Sequence, residues 1–484
     1  MFTRRRLLTV LLYVAAASAA GVQSAAAAEP LPLHTTLGAE RVRLPGGEHM
    51  GLVGGSALFG IGADWWLGPA IYGAATGSRG GLFVGGVQVL RRWSVGDRWW
   101  LNASAYAGGG GGASVPVGGG LMLRPEVALL RDLGPYSVGV SVSHVRFPSG
   151  DVRSSQLGLL WAWDGEFRPF DATRPAAGRS AGGKRSGLGF DLIAGTVTRY
   201  RFTGTPRRHI GLVGARIERA DGPWRWGIDA AAAARGDAAG YMEILATLGH
   251  DWSLGADPRS APRVGVRTAV GFGGGGAVPT DGGALGKVAA GIAWPLGGGF
   301  TVGAEAGWLR ALDSPLRGRI TQLWLAMDLE PARGAPSGGS TRTEWSATLQ
   351  HIARAERVDG TRSDLQTMGL KLNRYVSPSL YLSAQAHSAF AGGAGAYSVG
   401  LVGAGLATAR STGSWQFGAE ALIGAAGGGG VVTGGGAIVQ TLAWAGWRTG
   451  PDAQWRLGLG GVRSTSGDLS SPMAELTWSH AFAL

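Results

Sequence analysis

The ionisable residues of this chain that could act on a solute sit among small neighbours. Arg225, Asp229, Glu243, Glu305, Glu420 and Arg456 each lie on the small-residue face of an alternating segment. If that face lines an aqueous lumen, these six side chains line it too. Both signs are present, so strong ion selectivity is not implied, and pairing among the charges accounts for them equally well. A second, basic set lies in turn-like stretches: Arg146, Arg153, Arg310, Arg317, Arg319 and Arg463. A planar guanidinium fork suits phosphates and sugar acids, which it binds bidentately. The bland reading is that solvated turns are simply charged.

Other chemistries find less support. The glycine-rich stretch AYAGGGGGASVPVGGGL (105–121) suggests a phosphate cradle, but it carries no GxxxxGK[ST] pattern and no helix start follows it. Without cysteine there are no disulfides, thiolate nucleophiles or sulfur-ligated metals. The eight histidines show no metal-ligand spacing, so no metal and no cofactor are expected.

The elements that must position these residues are repeated. AVGFGGGGAVPTDGGAL (269–285) and LIGAAGGGGVVTGGGAI (422–438) copy the layout of 105–121, with Gly112, Gly276 and Gly430 as counterparts. HMGLVGG (49–55), HIGLVGA (209–215) and TMGLKLN (367–373) recur upstream in the same order. Long-period self-similarity of this kind divides the chain into three units, about 32–165, 187–330 and 342–484. The joints, 168–187 and 330–341, are rich in Pro, Gly, Ala, Arg and Ser.

Inside each unit the period is two. In YSVGVSVSHVR (136–146), Tyr136, Val138, Val140 and Val142 share one face, while Ser137, Gly139, Ser141 and Ser143 take the other. Such alternation marks β-strands. Eight segments are expected per unit; in the second they fall near 188–201, 208–220, 223–235, 240–253, 262–274, 284–295, 299–310 and 318–329. Most have the length of a tilted membrane-crossing strand and exceed the usual globular strand. Beyond residue 28 no apolar run is long enough for a transmembrane helix.

The N-terminus reads as an export signal over residues 1–28. Arg4, Arg5 and Arg6 precede an apolar stretch, and Ala26, Ala27 and Ala28 supply small residues for cleavage. Loss of the three arginines lowers the formal charge from +12 to +9. An exported basic chain needs no nucleic acid as partner; an acidic membrane surface serves. Sixteen of the nineteen tryptophans map to one end of the expected strands, among them Trp65, Trp66, Trp99, Trp100, Trp224, Trp226, Trp415 and Trp455. Indoles gather at membrane–water boundaries, so these eight are expected in an interface girdle.

Taken with the C-terminal alternation of Leu476, Trp478, His480, Phe482 and Leu484, the chain resembles a bacterial outer-membrane β-barrel with porin-like architecture. That resemblance implies an all-β antiparallel transmembrane fold and a location in the outer membrane of a Gram-negative cell. It also implies lipid, lipopolysaccharide and the barrel assembly machinery as partners. Serine and glycine fill little space, so one wide ring of about 24 strands is expected, with three separate eight-stranded barrels as the alternative. A wide lumen would suit a channel or export conduit for bulky hydrated solutes. Saccharide or exopolysaccharide would then be the cargo, with periplasmic export components as further partners. The other reading is a structural or surface-interaction barrel that transports nothing. SHVRFPSGD (143–151) resembles, faintly, the His-x-Ser-Asn strand of outer-membrane lipid A deacylases, but Arg146 stands where the serine should be, so no enzyme is expected.

Overall fold

The computed structural model describes residues 31–62, 64–167, 192–203, 209–255, 261–328, 342–408, 414–450 and 452–482. The export signal, the two joints and Leu484 lie outside them. The first unit forms β1 (Leu31–Arg43), β2 (His49–Gly62), β3 (Trp65–Thr76), β4 (Phe83–Gly96), β5 (Trp99–Gly111), β6 (Leu121–Asp132), β7 (Ser137–Arg146) and β8 (Arg153–Phe167). The second forms β9 (Leu192–Thr203), β10 (His209–Asp221), β11 (Trp224–Arg235), β12 (Met242–Ser253), β13 (Arg263–Gly274), β14 (Ala284–Gly297), β15 (Phe300–Ala311) and β16 (Arg317–Asp328). The third forms β17 (Thr343–Glu356), β18 (Arg362–Tyr375), β19 (Leu380–Ala391), β20 (Ser398–Ala407), β21 (Trp415–Gly427), β22 (Ala437–Arg448), β23 (Ala453–Ser464) and β24 (Ser470–Phe482).

Every strand pairs antiparallel with its chain neighbour, and each eighth strand returns to the first strand of its own unit: β8 to β1, β16 to β9, β24 to β17. The chain is therefore three closed eight-strand barrels. The expected single wide ring is corrected. Small inward residues do not leave a wide lumen here, because inward glycines lie directly opposite aromatic rings. Gly54 faces Tyr72, Gly303 faces Trp324, Gly405 faces Tyr381 and Gly418 faces Trp444 across the ladder. A Cβ at Gly54 would lie 2.2 Å from the Tyr72 ring, and one at Gly405 2.2 Å from the Tyr381 ring. The glycine of one strand makes room for the large side chain of the next, which suits an eight-strand ring whose interior is only as wide as its side chains.

Polarity is inside-out. Inward positions carry charged and polar residues, whereas Val140, Val142, Leu157, Leu159, Val197, Leu323, Leu457 and Leu459 are exposed. The apolar core of each barrel lies at one end, beneath the longer turns. In the first it includes Leu44, Leu82, Val115, Val117, Phe147 and Val152; in the third, Ala394, Tyr397, Val431 and Leu469.

The glycine-rich stretches form the same turn three times. Val115 N–H donates to Gly112 O, Val117 to Val115 and Gly120 to Val117. The same bonds run through Gly275, Val278, Thr280 and Gly283, and through Gly428, Val431, Thr433 and Gly436. By this bonding the counterparts of Gly112 are Gly275 and Gly428, one and two residues before Gly276 and Gly430. The last glycine of each turn has φ near +90° (Gly120 92°, Gly283 94°, Gly436 98°), which L side chains rarely adopt.

These turns also dock the barrels on one another. Gly80 N–H donates to Asp281 O (2.5 Å), joining the first barrel to the second, and Gly395 N–H donates to Gly118 O (3.1 Å), joining the third to the first. Between the second and third, a Cβ on Gly427 would lie 2.1 Å from Gly240 N. The third strand of each barrel packs on the fifth strand of the next: β3 on β13, β11 on β21, β19 on β5. The set closes on itself as a pseudo-threefold ring. Gly395→Val would place a Cβ 2.6 Å from Gly120 N. It is expected to cost about 1–3 kcal/mol through overpacking. Denaturant unfolding in detergent should show the third barrel melting apart from the first, with each barrel's own transition unmoved; a single unshifted transition would contradict this docking.

Candidate functional site

Each lumen holds a buried cation that bridges two carboxylates. In the first barrel Arg124 on β6 donates from Nε and Nη2 to Glu40 (2.9 and 2.8 Å), from Nη2 to Glu126 (2.5 Å) and from Nη1 to the Tyr72 hydroxyl (3.1 Å). Ser143 completes the Glu40 shell at 2.6 Å. In the second, Arg216 on β10 donates to Glu305 (2.8 Å), Asp229 (3.2 Å) and Gln322 (2.9 Å). Arg267 shares Glu305 and reaches Glu218 at 2.9 Å. In the third, Lys371 on β18 bridges Glu420 and Glu475, both at 2.7 Å. Tyr381 donates to Glu420 (3.1 Å) and in turn accepts from Trp444 Nε1 (3.0 Å).

All six lumen residues expected from the sequence occupy inward positions. Asp229, Glu243, Glu305, Glu420 and Arg456 are buried, and Arg225 is half-buried beside Asp251 (3.1 Å). Glu243 accepts from Lys287 (2.5 Å), Tyr200 (2.6 Å) and Tyr241 (2.9 Å), and Arg456 pairs with Glu344. These six do not form one lining; they are spread over two barrels, each paired locally. Sequence reading missed the partners Arg124, Glu40, Glu126, Arg216, Lys371 and Glu475. For most of them the signal was available: they alternate with apolar or small residues, as Lys371 does between Leu370 and Leu372.

Two small cavities lie beside these clusters in the first and second barrels. A cavity of about 10 Å³ lies beside Glu40, Tyr72 and Arg124. Another of about 30 Å³ lies beside Glu218, Arg225, Asp251 and Arg263. Each has room for no more than a few waters.

At the turn end the first barrel is laced by Arg79. It donates to both Glu48 oxygens (Nε 3.0 Å to Oε1, Nη2 2.6 Å to Oε2) and to Ala113 O (3.0 Å), tying three turns together. Its hydrogen bond, with that of Ser78 (2.5 Å), holds the Glu48 carboxyl below its ordinary range. In the third barrel Arg357 does comparable lacing, donating to Gly429 O (2.8 Å), Gly392 O (2.7 Å) and Ser363 (2.9 Å).

The rim arginines Arg146, Arg153, Arg310, Arg317, Arg319 and Arg463 are all exposed at the turn end. They lie on the seventh and eighth strands, and the eighth strand adjoins the first strand of its own barrel rather than that of the next unit, because each ring closes on itself. At the opposite end Trp65, Trp99, Trp224, Trp226 and Trp415 are exposed, and Trp455 is partly so. Trp66 and Trp100 depart from the expected girdle. Consecutive residues of a strand point to opposite faces, so each Trp–Trp pair sends one ring inward: Trp66 lies 5.6 Å from His34, and Trp100 lies under the Arg92 guanidinium at 3.8 Å. His144 is hydrogen-bonded to Ser155 (2.8 Å) on the barrel surface.

No family profile and no curated protein sequence matches the chain. Among solved structures, Neisserial surface protein A (NspA) matches at 10% identity over 30% of this chain and 99% of its own, with a TM-score of 0.23. The FrpB iron transporter from Neisseria meningitidis matches at 10% identity over 96% of this chain and 82% of its own (TM-score 0.28). The outer membrane protein OpdK from Pseudomonas aeruginosa matches at 10% identity over 93% and 98% (TM-score 0.23).

Two outcomes follow from these sites. Lys371→Met leaves Glu420 and Glu475 buried without a counter-charge, so denaturant unfolding should show a loss of about 3–5 kcal/mol. Adding Glu420→Gln and Glu475→Gln should recover most of that loss. The Glu48–Arg79 tie has a depressed folded-state carboxyl, so its stabilisation is present above the ordinary carboxyl range and is lost as pH falls through the lowered value. Amide protection factors, which correct for the intrinsic pH dependence of exchange, should therefore fall in the Ala113 and Gly47 turns on acidification of the wild type, while Arg79→Ala should show low protection throughout.

Proposed function

We propose that this is a bacterial outer-membrane protein whose three barrels form a rigid, non-catalytic platform that presents its turn-end rim at the cell surface. One observation carries the reading: polarity is inverted along strands of 10–15 residues, with ion pairs inside and aliphatic side chains outside. Exposed apolar surface on that scale in a soluble protein would drive association. The tryptophan end would then sit at one membrane boundary, and the arginine-bearing end would face lipopolysaccharide. Insertion by the barrel assembly machinery fits the alternation of the last strand.

A second reading, transport, draws on the polar and charged side chains that line the middle of each lumen. It requires a path that the cation–carboxylate clusters do not fill, and bulky saccharide or exopolysaccharide cargo requires more space than the cavities of about 10 and 30 Å³ in the first two lumens. Planar-bilayer recording separates the readings. The platform predicts no stable large conductance from folded, detergent-purified protein. A long-lived open state of large conductance, lost on plugging by dextran, would reverse the choice in favour of transport.

A further inference from the structure

The outward face of β9, β15 and β16 carries a patch that sharpens the rim role given to the arginines in the platform reading. Arg199, Arg201, Arg310, Arg317 and Arg319 are all exposed there. The ladder sets Arg317 directly opposite Arg310 and Arg319 directly opposite Arg201. Like charges directly opposite across antiparallel strands destabilise the pair unless something lies between them. Among the described residues no carboxylate forms an ion pair or hydrogen bond with any of the five arginines. Nearer the barrel's middle the same face becomes apolar: Thr321 opposite Arg199 gives way to Leu323 opposite Val197, each about 60% exposed. Trp308 stands opposite Arg319 and is 64% exposed. The second barrel's contacts with its neighbours run through β10, β11, β13 and β14, and the patch occupies the other strands β9, β15 and β16.

We propose that this face binds the phosphorylated headgroup of a membrane glycolipid. The guanidinium forks would take the phosphates, and the Leu323–Val197 surface below would take the first carbons of the acyl chains. A soluble anion would satisfy the arginines alone; the apolar continuation on the same strands favours the lipid. The proposal rests on the membrane reading above and gives it a specific partner on one barrel. The patch is weaker elsewhere: Arg146 opposes Arg153 in the first barrel, but Arg463 opposes Ser470 in the third.

The test is native mass spectrometry of the detergent-solubilised full chain. It is titrated with bis-phosphorylated lipid A, with the same glycolipid dephosphorylated, and with inorganic pyrophosphate. Lipid A should form a stoichiometric adduct. Dephosphorylation, or the double variant Arg201→Gln with Arg319→Gln, should weaken it about tenfold. Arg463→Gln should change it by less than about twofold. Replacing the same two arginines by lysine should give intermediate affinity, since charge remains but the fork is lost. Equal binding by the Gln variant, equal binding of dephosphorylated lipid, or displacement of lipid A by equimolar pyrophosphate would each overturn the proposal. Heat-modifiable gel migration checks that the variants are folded. Failure of the membrane reading shows separately, as wild-type protein that does not insert into phosphatidylcholine vesicles.

Discussion

An eight-strand ring has an interior only as wide as the side chains that fill it, and the rest of this molecule follows from that width. A charge pointing inward cannot be hydrated at leisure, so it must be paired; an unpaired one would cost several kcal/mol. That is why Arg124, Arg216 and Lys371 each sit between two carboxylates. The same width makes glycine useful inside, since a ring such as Tyr72 or Trp444 needs an empty position opposite it. It also makes the turn end a natural place for an apolar core, where Val115, Val278 and Val431 drop into the mouths of their barrels.

With polar groups inside and aliphatic groups outside, the barrels cannot hold together by withdrawing apolar surface from water if that surface meets lipid. Association must come from close packing and from main-chain hydrogen bonds. The contacts between barrels fit that requirement. They run through glycines whose added Cβ would collide with the next barrel's backbone, as at Gly80, Gly395 and Gly427. Two of the three interfaces use the same main-chain bond, from Gly80 to Asp281 and from Gly395 to Gly118. The turn that caps a lumen is thus also the turn that docks a neighbour, which is why glycine is so dense there.

Much of this was legible in the sequence because a period of two reports which face a residue takes. Strand positions in the second unit agree with the alternation to within a few residues, and the inward placement of Asp229, Glu305 and Glu420 came from the same parity. Parity does not report which strand is the neighbour. Whether β8 pairs with β1 or with β9 leaves the alternation unchanged, so ring size could not be read from it. The fill of the lumen was misjudged because Gly54 and Gly405 look like gaps when read along one strand and become sockets only when the opposite strand is in register. Trp66 and Trp100 were misplaced by ignoring the parity rule within a doublet.

The three lumens also show what is constrained. The position of Arg216 on the second strand of its barrel corresponds to Lys371 in the third and to Ser56 in the first, reckoned from the inward glycines Gly54, Gly214 and Gly369 two residues before. In the first barrel the cation comes instead from Arg124, on the sixth strand. What the three barrels share is a buried cation bridging two acids, and the strand that supplies it differs. A chain of three linked units can let such differences accumulate, whereas three identical subunits would have to repeat them. The outer faces have used that freedom: opposed arginine pairs remain in two barrels, and serine faces Arg463 in the third. Joining the units in one chain therefore keeps the ring of barrels while allowing one face to specialise.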